Sequence, residues 1–346
     1  TNYVPGSYTW STHTISHNTL LVDDQKQSAN DSVPLYRIHH GKQLHVVDTL
    51  NGGGTTYPQC DRYRRTLLLR DIGADKGYIL DVFRVRGGTK SYNLGFHAQE
   101  GSFELHGATL PAPITQGTLA GKDVELGEIY DDPVLGGPGY TGGFSGYKGS
   151  GFQHLFNWQK VTPSTTVIAD WKLTAPAGSS LRLHVPPAGA QEVIVADAYV
   201  SPTQKIPTVL KYVLLRRTPA ADGDVFLTVW EPLSASPVID HIEELSDPSF
   251  GKGADRVVGA RVFRTDGAID TLLTAYMDHD QYSLGSTLST DATTVLVSES
   301  GGETMLVAAG GTNLKYGAET IALPGTRHGT VESVDYNTRT LTVTGE

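Results

Sequence analysis

Apolar residues in this chain recur in short runs separated by turn chemistry, with no sustained helical period. The stretch Lys42-Gln43-Leu44-His45-Val46-Val47-Asp48-Thr49 runs into Asn51-Gly52-Gly53-Gly54, a strand followed by a loop. Similar runs stand at 66–70, 77–86, 165–173, 181–185, 192–196, 208–217, 225–231 and 256–263. Gly, Pro, Asp and Asn break them at spacings that suit an antiparallel sandwich better than alternating β-α units. In 78–85 one face carries Tyr78, Leu80, Val82 and Arg84, and the other Ile79, Asp81, Phe83 and Val85. Both faces are mostly apolar, so this strand belongs inside a stack of sheets, where Asp81 and Arg84 need hydrogen-bonding partners. Near the end, 329–334 and 340–343 form a hairpin-like pair around Asp335-Tyr336-Asn337. The expected fold is all-β: a large antiparallel, multi-sheet β-sandwich over residues 1–265, with 266–346 as its tail and a small C-terminal β module.

Composition agrees. Thirty-nine Gly and 16 Tyr against 2 Met favour many strands and tight turns over helical layers, and 346 residues at 38% hydrophobic content can bury a large core. One cysteine, Cys60, excludes an intrachain disulfide or a multi-cysteine metal site. No apolar run approaches the ~20 residues of a membrane-crossing helix, so no membrane span is expected. A formal charge of −10 argues against a nucleic-acid partner but not against an acidic sugar. Local cations decide that, because global repulsion is screened beyond about 8 Å. The opening Thr1-Asn2-Tyr3 lacks a basic or apolar leader and reads as a processed or truncated start. Residues 133–151 are too rich in glycine to hold a regular element; they form a long loop, with Tyr140, Phe144 and Tyr147 as aromatic candidates for touching sugar rings.

Residues 16–27, Ser-His-Asn-Thr-Leu-Leu-Val-Asp-Asp-Gln-Lys-Gln, place an imidazole immediately before an apolar strand. The segment resembles a signature of heparinase II/III-type polysaccharide lyases. The resemblance becomes specific in succession with Gln43-Leu44-His45-Val46-Val47-Asp48, Tyr57-Pro58, Tyr63-Arg64-Arg65-Thr66-Leu67-Leu68-Leu69 and 78–88, then with Phe156-Asn157-Trp158, Ala169-Asp170-Trp171, 211–214 and Val229-Trp230-Glu231-Pro232. It covers most of 1–265 and fades beyond. In that family a helical (α/α) toroid packs on the β-sandwich and an acidic polysaccharide lies in the cleft between them. Two departures stand out: the family's His-x-His-x-Asp segment is absent, and Lys90-Ser91-Tyr92 occupies a stretch where relatives often carry a histidine.

The resemblance implies that His17 ligates a divalent metal, usually zinc, whose other ligands lie outside this chain. Imidazole suits that ion as a neutral borderline donor. Asn18 is expected to fix the start of the strand through bonds to backbone groups. Tyr3 and Tyr8 are the candidates for catalysis. Elimination from a 4-linked uronate needs a base for the C5 proton and an acid for the leaving oxygen, and a tyrosine beside a cation serves either role. Arg64 and Arg65 are candidates for binding a uronate carboxylate or a sulfate. They point to opposite faces of a strand, so at most one meets the cleft, and ion pairs with Asp61, Asp71 or Asp81 compete. The His39-His40 pair invites a metal, but adjacent strand residues diverge.

Read together, these features imply the β-sandwich part of a lyase that cleaves alginate or a glycosaminoglycan by β-elimination. It needs an upstream toroid and acts in the periplasm or outside the cell. The alternative is a non-catalytic carbohydrate-binding or structural β-sandwich.

Overall fold

A computed structural model describes residues 7–29, 35–50, 55–73, 76–138, 140–141, 143–201, 206–234, 236–247, 251–276, 281–323, 329–335 and 340–345. Four antiparallel sheets supply the faces of the buried apolar clusters. The first has five strands in the order β1 (Leu20–Val22), β6 (Tyr92–His97), β12 (Ile206–Arg217), β11 (Glu192–Ser201) and β8 (Phe156–Val161). The second has eight: β2 (Leu35–His40), β3 (Leu44–Leu50), β4 (Cys60–Gly73), β5 (Lys76–Gly87), β13 (Asp224–Leu233), β10 (Ser180–Val185), β9 (Val167–Leu173) and β7 (Gly101–His106). The third runs β14 (Ile239–Asp247), β15 (Val257–Arg264), β16 (Ile269–Thr274), β19 (Thr294–Ser300), β20 (Glu303–Ala309). The fourth runs β17 (Tyr282–Leu284), β18 (Leu288–Thr290), β21 (Asn313–Tyr316), β22 (Glu319–Ala322). A separate hairpin pairs β23 (Gly329–Asp335) with β24 (Thr340–Gly345), where the sequence pattern predicts one. Residue 265 falls in the turn between β15 and β16, which are themselves paired.

The middle of the eight-stranded sheet is interior because its central strands are apolar on both sides. Phe83, Val85, Trp171 and Phe226 pack against Leu94, Phe96, Val195 and Val213 of the first sheet. Tyr78, Leu80, Val82 and Val229 pack against Val258, Val262, Leu272 and Leu296 of the third. The two faces read from residues 78–85 are the faces observed. The outer side of the first sheet is covered by Trp10, Ile15, Phe152 and Leu155, and the third sheet meets the fourth through Val295, Val297, Leu288 and Leu314.

Charges enclosed between layers are paired, as burial demands. Arg84, fully buried, donates to the carbonyls of Ala254, Arg256 and Thr274 at 2.6–2.9 Å. Burial, and then the neighbouring Arg64 and Arg256 guanidiniums, pull it down to about 9. Asp270 gathers Tyr78 Oη at 2.8 Å and Arg70 Nε at 3.2 Å, tying the interior sheet to the third. Asp81 receives both arms of Arg65.

Candidate functional site

The segment 16–22 lies along the edge of the first sheet, with Leu20–Val22 paired to Tyr92–Leu94. Its backbone is held almost carbonyl by carbonyl by groups distant in sequence. Tyr212 Oη donates to the Ser16 carbonyl at 3.3 Å, Arg65 Nη1 to Asn18 at 2.6 Å, the Gly95 amide to Thr19 at 3.0 Å and Tyr63 Oη to Leu20 at 2.7 Å. The Asn18 side chain prolongs the ladder: Oδ1 accepts from the His97 amide at 2.8 Å and Nδ2 donates to the His97 carbonyl at 3.3 Å. That is the backbone-fixing role expected of Asn18. Gly95 allows the close approach, since a Cβ there would stand 3.3 Å from the His17 carbonyl.

At the other end of the strand the chain turns through Asp23 and Asp24, both at positive φ (56° and 55°), a conformation that short polar side chains tolerate best after glycine. Asp23 Oδ1 accepts from the Thr89 and Lys90 amides at 2.8 and 2.7 Å. Asp24 takes Asn93 and Lys90.

Against this fixed backbone the His17 ring is the exception. It is exposed, at the C-cap of a 3-10 turn (Thr14–Ser16), and makes no hydrogen bond to the described residues. Beside it His97 stacks on Tyr212 with ring centres 4.7 Å apart, and burial lowers the His97 imidazole below its ordinary value.

His13, four residues earlier, behaves oppositely. It is fully buried; Nε2 donates to the Gly149 carbonyl at 2.8 Å while Nδ1 accepts from the Ile15 amide at 3.2 Å. That donor and acceptor pair defines a neutral ring with its proton on Nε2. Burial pulls it down to about 3. His154, bonded to Thr9 Oγ1 at 3.0 Å and packed on Trp10, is pulled to about 4 by the same cause.

The remaining sequence candidates fall in different places. Tyr3 lies outside the described residues. Tyr8 lies within a π-type turn (Ser7–Ser11), and its carbonyl accepts from Lys26 Nζ at 3.2 Å. The expectation that Arg64 meets substrate is corrected. It is 3% exposed, faces the third sheet, and spends its guanidinium on both Asp48 oxygens and the Tyr276 carbonyl. Arg65 faces the other way, as strand alternation requires, and holds Asp81 and the Asn18 carbonyl. Of the partners expected for Arg64 and Arg65, Asp81 pairs with Arg65 while Asp61 is held by Arg86 at 2.8 Å; Asp48, the partner of Arg64, enters only through the fold. Tyr147 is buried, with its hydroxyl on Asp131 at 2.9 Å, and so is no sugar-facing aromatic. Tyr140 and Phe144 pack edge to face on each other.

Among the described residues, no three His, Cys, Asp or Glu side chains converge as a metal site. His17 offers zinc one exposed imidazole, and one donor alone does not make a site. No helix among the described residues is long and apolar enough to cross a membrane.

A bare ledge adjoins the segment. Residues opposite one another in register share a face, so Ile38, Val47 and Leu67 lie together across three strands on the side that carries Arg65, with Leu69 next along. Ile38 is 61% exposed, Val47 41% and Leu69 38%.

No known family matches the sequence, and no curated relative does. Solved structures give a likeness to lyases. Heparan sulfate lyase HepC from Pedobacter heparinus aligns at 12% identity and a TM-score of 0.38, over 77% of this chain and 31% of that one. A heparinase III aligns at 11% and 0.44, over 80% of this chain and 32% of its own. A second heparinase III structure aligns at 11% and 0.39, over 90% and 30%. The chain spans about a third of the length of these proteins. Likeness at this level fixes neither family nor chemistry, and the all-β assignment rests on the strand order described above.

Proposed function

We propose that this chain is the β-sandwich part of a polysaccharide lyase that cleaves a uronate-containing polymer, alginate or a glycosaminoglycan, by β-elimination. In this reading His17 is one ligand of a zinc ion whose other ligands, like the helical toroid, lie outside this sequence. One observation carries it: the backbone of 16–20 is fixed by side chains and amides from three other strands, yet the His17 ring is left exposed and bonded to none of the described residues. Fixing a backbone so thoroughly around an unused ring is wasteful unless the ring meets something. The succession of motifs from residue 16 to residue 232 supports the same reading.

The apolar ledge of Ile38, Val47 and Leu69 supports a docked toroid, since exposed contiguous apolar surface marks contact sites. Elimination requires a base, an acid and a group that neutralises the uronate carboxylate as the enolate-like charge develops. Tyr3 and Tyr8 are the proposed proton-transfer residues, and Lys26 supplies a cation beside the turn that carries Tyr8. Arg65 positions the His17 segment. Direct contact with a sugar carboxylate would require it to release Asp81. A polymeric substrate places the protein in the periplasm or outside the cell, which is likewise proposed.

The test is absorbance of unsaturated uronate after incubation with alginate, heparin, heparan sulfate or hyaluronan. The 346-residue chain gives no product; a longer protein that adds the toroid gives product on one of them. Product from the chain alone overturns the divided site, and no product from the longer protein on any of the four overturns the lyase reading.

A further inference from the structure

Adjacent histidines on a strand diverge, so His39 and His40 cannot chelate one ion together. The fold supplies His40 with a different partner. His40 and His45 stand directly opposite one another across the β2–β3 hairpin, their rings 4.5 Å apart between centres and their Nδ1 atoms 2.7 Å apart. His39 points to the other face, where its Nε2 is buried without a hydrogen-bond partner among the described residues.

We propose that His40 and His45 form a two-nitrogen chelate for a borderline divalent ion with tetragonal preference, copper(II) before zinc(II). Three observations converge. The spacing is the first: two ligands at right angles on an ion with bonds of about 2.0 Å stand about 2.8 Å apart, while tetrahedral bonds of that length set them about 3.3 Å apart. The second is preorganisation. The register sets the two Cβ atoms opposite each other, and the turn is tight, since the Gly41 amide donates to Leu44 at 3.0 Å and a Cβ at Gly41 would stand 2.9 Å from both His39 Nε2 and the Leu44 carbonyl. The third is access. His40 is exposed, and the pair lies at the turn end of the bare ledge, so water can fill the remaining positions on the ion.

Both rings ligate in the neutral form. The ring that donates the Nδ1–Nδ1 hydrogen bond carries its proton on Nε2 once the metal is bound, so no net proton is released. The pair is separate from His17: it stands on the eight-stranded sheet, whereas His17 precedes the first sheet's edge strand. It is also independent of any lyase activity.

Isothermal titration of the 346-residue chain with copper(II), and separately with zinc(II), tests the proposal, with electron paramagnetic resonance of the copper form to count nitrogen ligands. One equivalent of copper(II) should bind with two equatorial imidazole nitrogens. His40→Gln or His45→Gln should weaken it at least 10-fold, and His17→Gln should leave it unchanged. Affinity no better than that of the His40→Gln/His45→Gln double variant, a signal with fewer than two nitrogens, or loss on His17→Gln would each overturn it. Circular dichroism of each variant excludes misfolding as the cause.

Discussion

His13 and His17 stand four residues apart in one segment and do opposite things. His13 is sealed, neutral and bonded through both nitrogens; His17 is open, and its ring is bonded to nothing described. Arg64 and Arg65 repeat the contrast at one residue's separation. Arg64 faces the third sheet and locks Asp48, whereas Arg65 faces the first and holds the backbone from which His17 projects. Residue type does not tell these apart. What separates them is which layer covers which face.

The sealed histidines carry the largest expected effect. Both stay neutral in the fold while the unfolded chain protonates near its ordinary value of 6.5, so below that pH the unfolded state takes up more protons. Their contribution is intact above about pH 6.5 and is lost as pH falls toward 4 for His154 and 3 for His13. The slope is about 1.4 kcal/mol per pH unit for each, or about 5 kcal/mol for the pair between pH 6.5 and 4.5. Urea unfolding across that range reads it, and His154→Gln should remove about half of the slope. An unchanged slope would mean that His154 is not sealed.

Next comes Arg64→Ala, which strands Asp48 in the interior and should cost about 3–4 kcal/mol in chemical denaturation. A cost under 1 kcal/mol would return Arg64 to the surface and reopen a binding role. Arg65→Ala should cost less, about 2 kcal/mol, because Arg65 is partly solvated, although Asp81 is buried. Its distinguishing mark is faster hydrogen exchange at Leu20 and His97, which Arg64→Ala should leave protected.

Much of this was legible in the sequence. The two faces of residues 78–85 and the C-terminal hairpin follow from local pattern, because alternation is a local rule, and Asn18 bonds backbone groups as its residue type suggests, though those groups are not local. What was not legible is long-range. Nothing near Arg64 announces Asp48, 16 residues away, or the Tyr276 carbonyl, 212 residues away. Nothing near Asn18 announces His97, and nothing near His40 says that a three-residue turn, 41–43, returns His45 to face it. Tyr147 looked like a loop aromatic because glycines surround it, but its ring is buried and its hydroxyl is bonded to Asp131, 16 residues away.

The central claim is that the fold fixes the backbone around His17 and leaves the ring for a partner outside the described residues. Paired unfolding curves for His17→Ala and Asn18→Ala test it most directly. Asn18→Ala should cost about 1–2 kcal/mol through its two lost bonds to His97. His17→Ala should stay within about 0.5 kcal/mol of the parent chain, as for a surface side chain. A His17→Ala cost equal to that of Asn18→Ala would show that the ring already serves this chain, and would contradict the account.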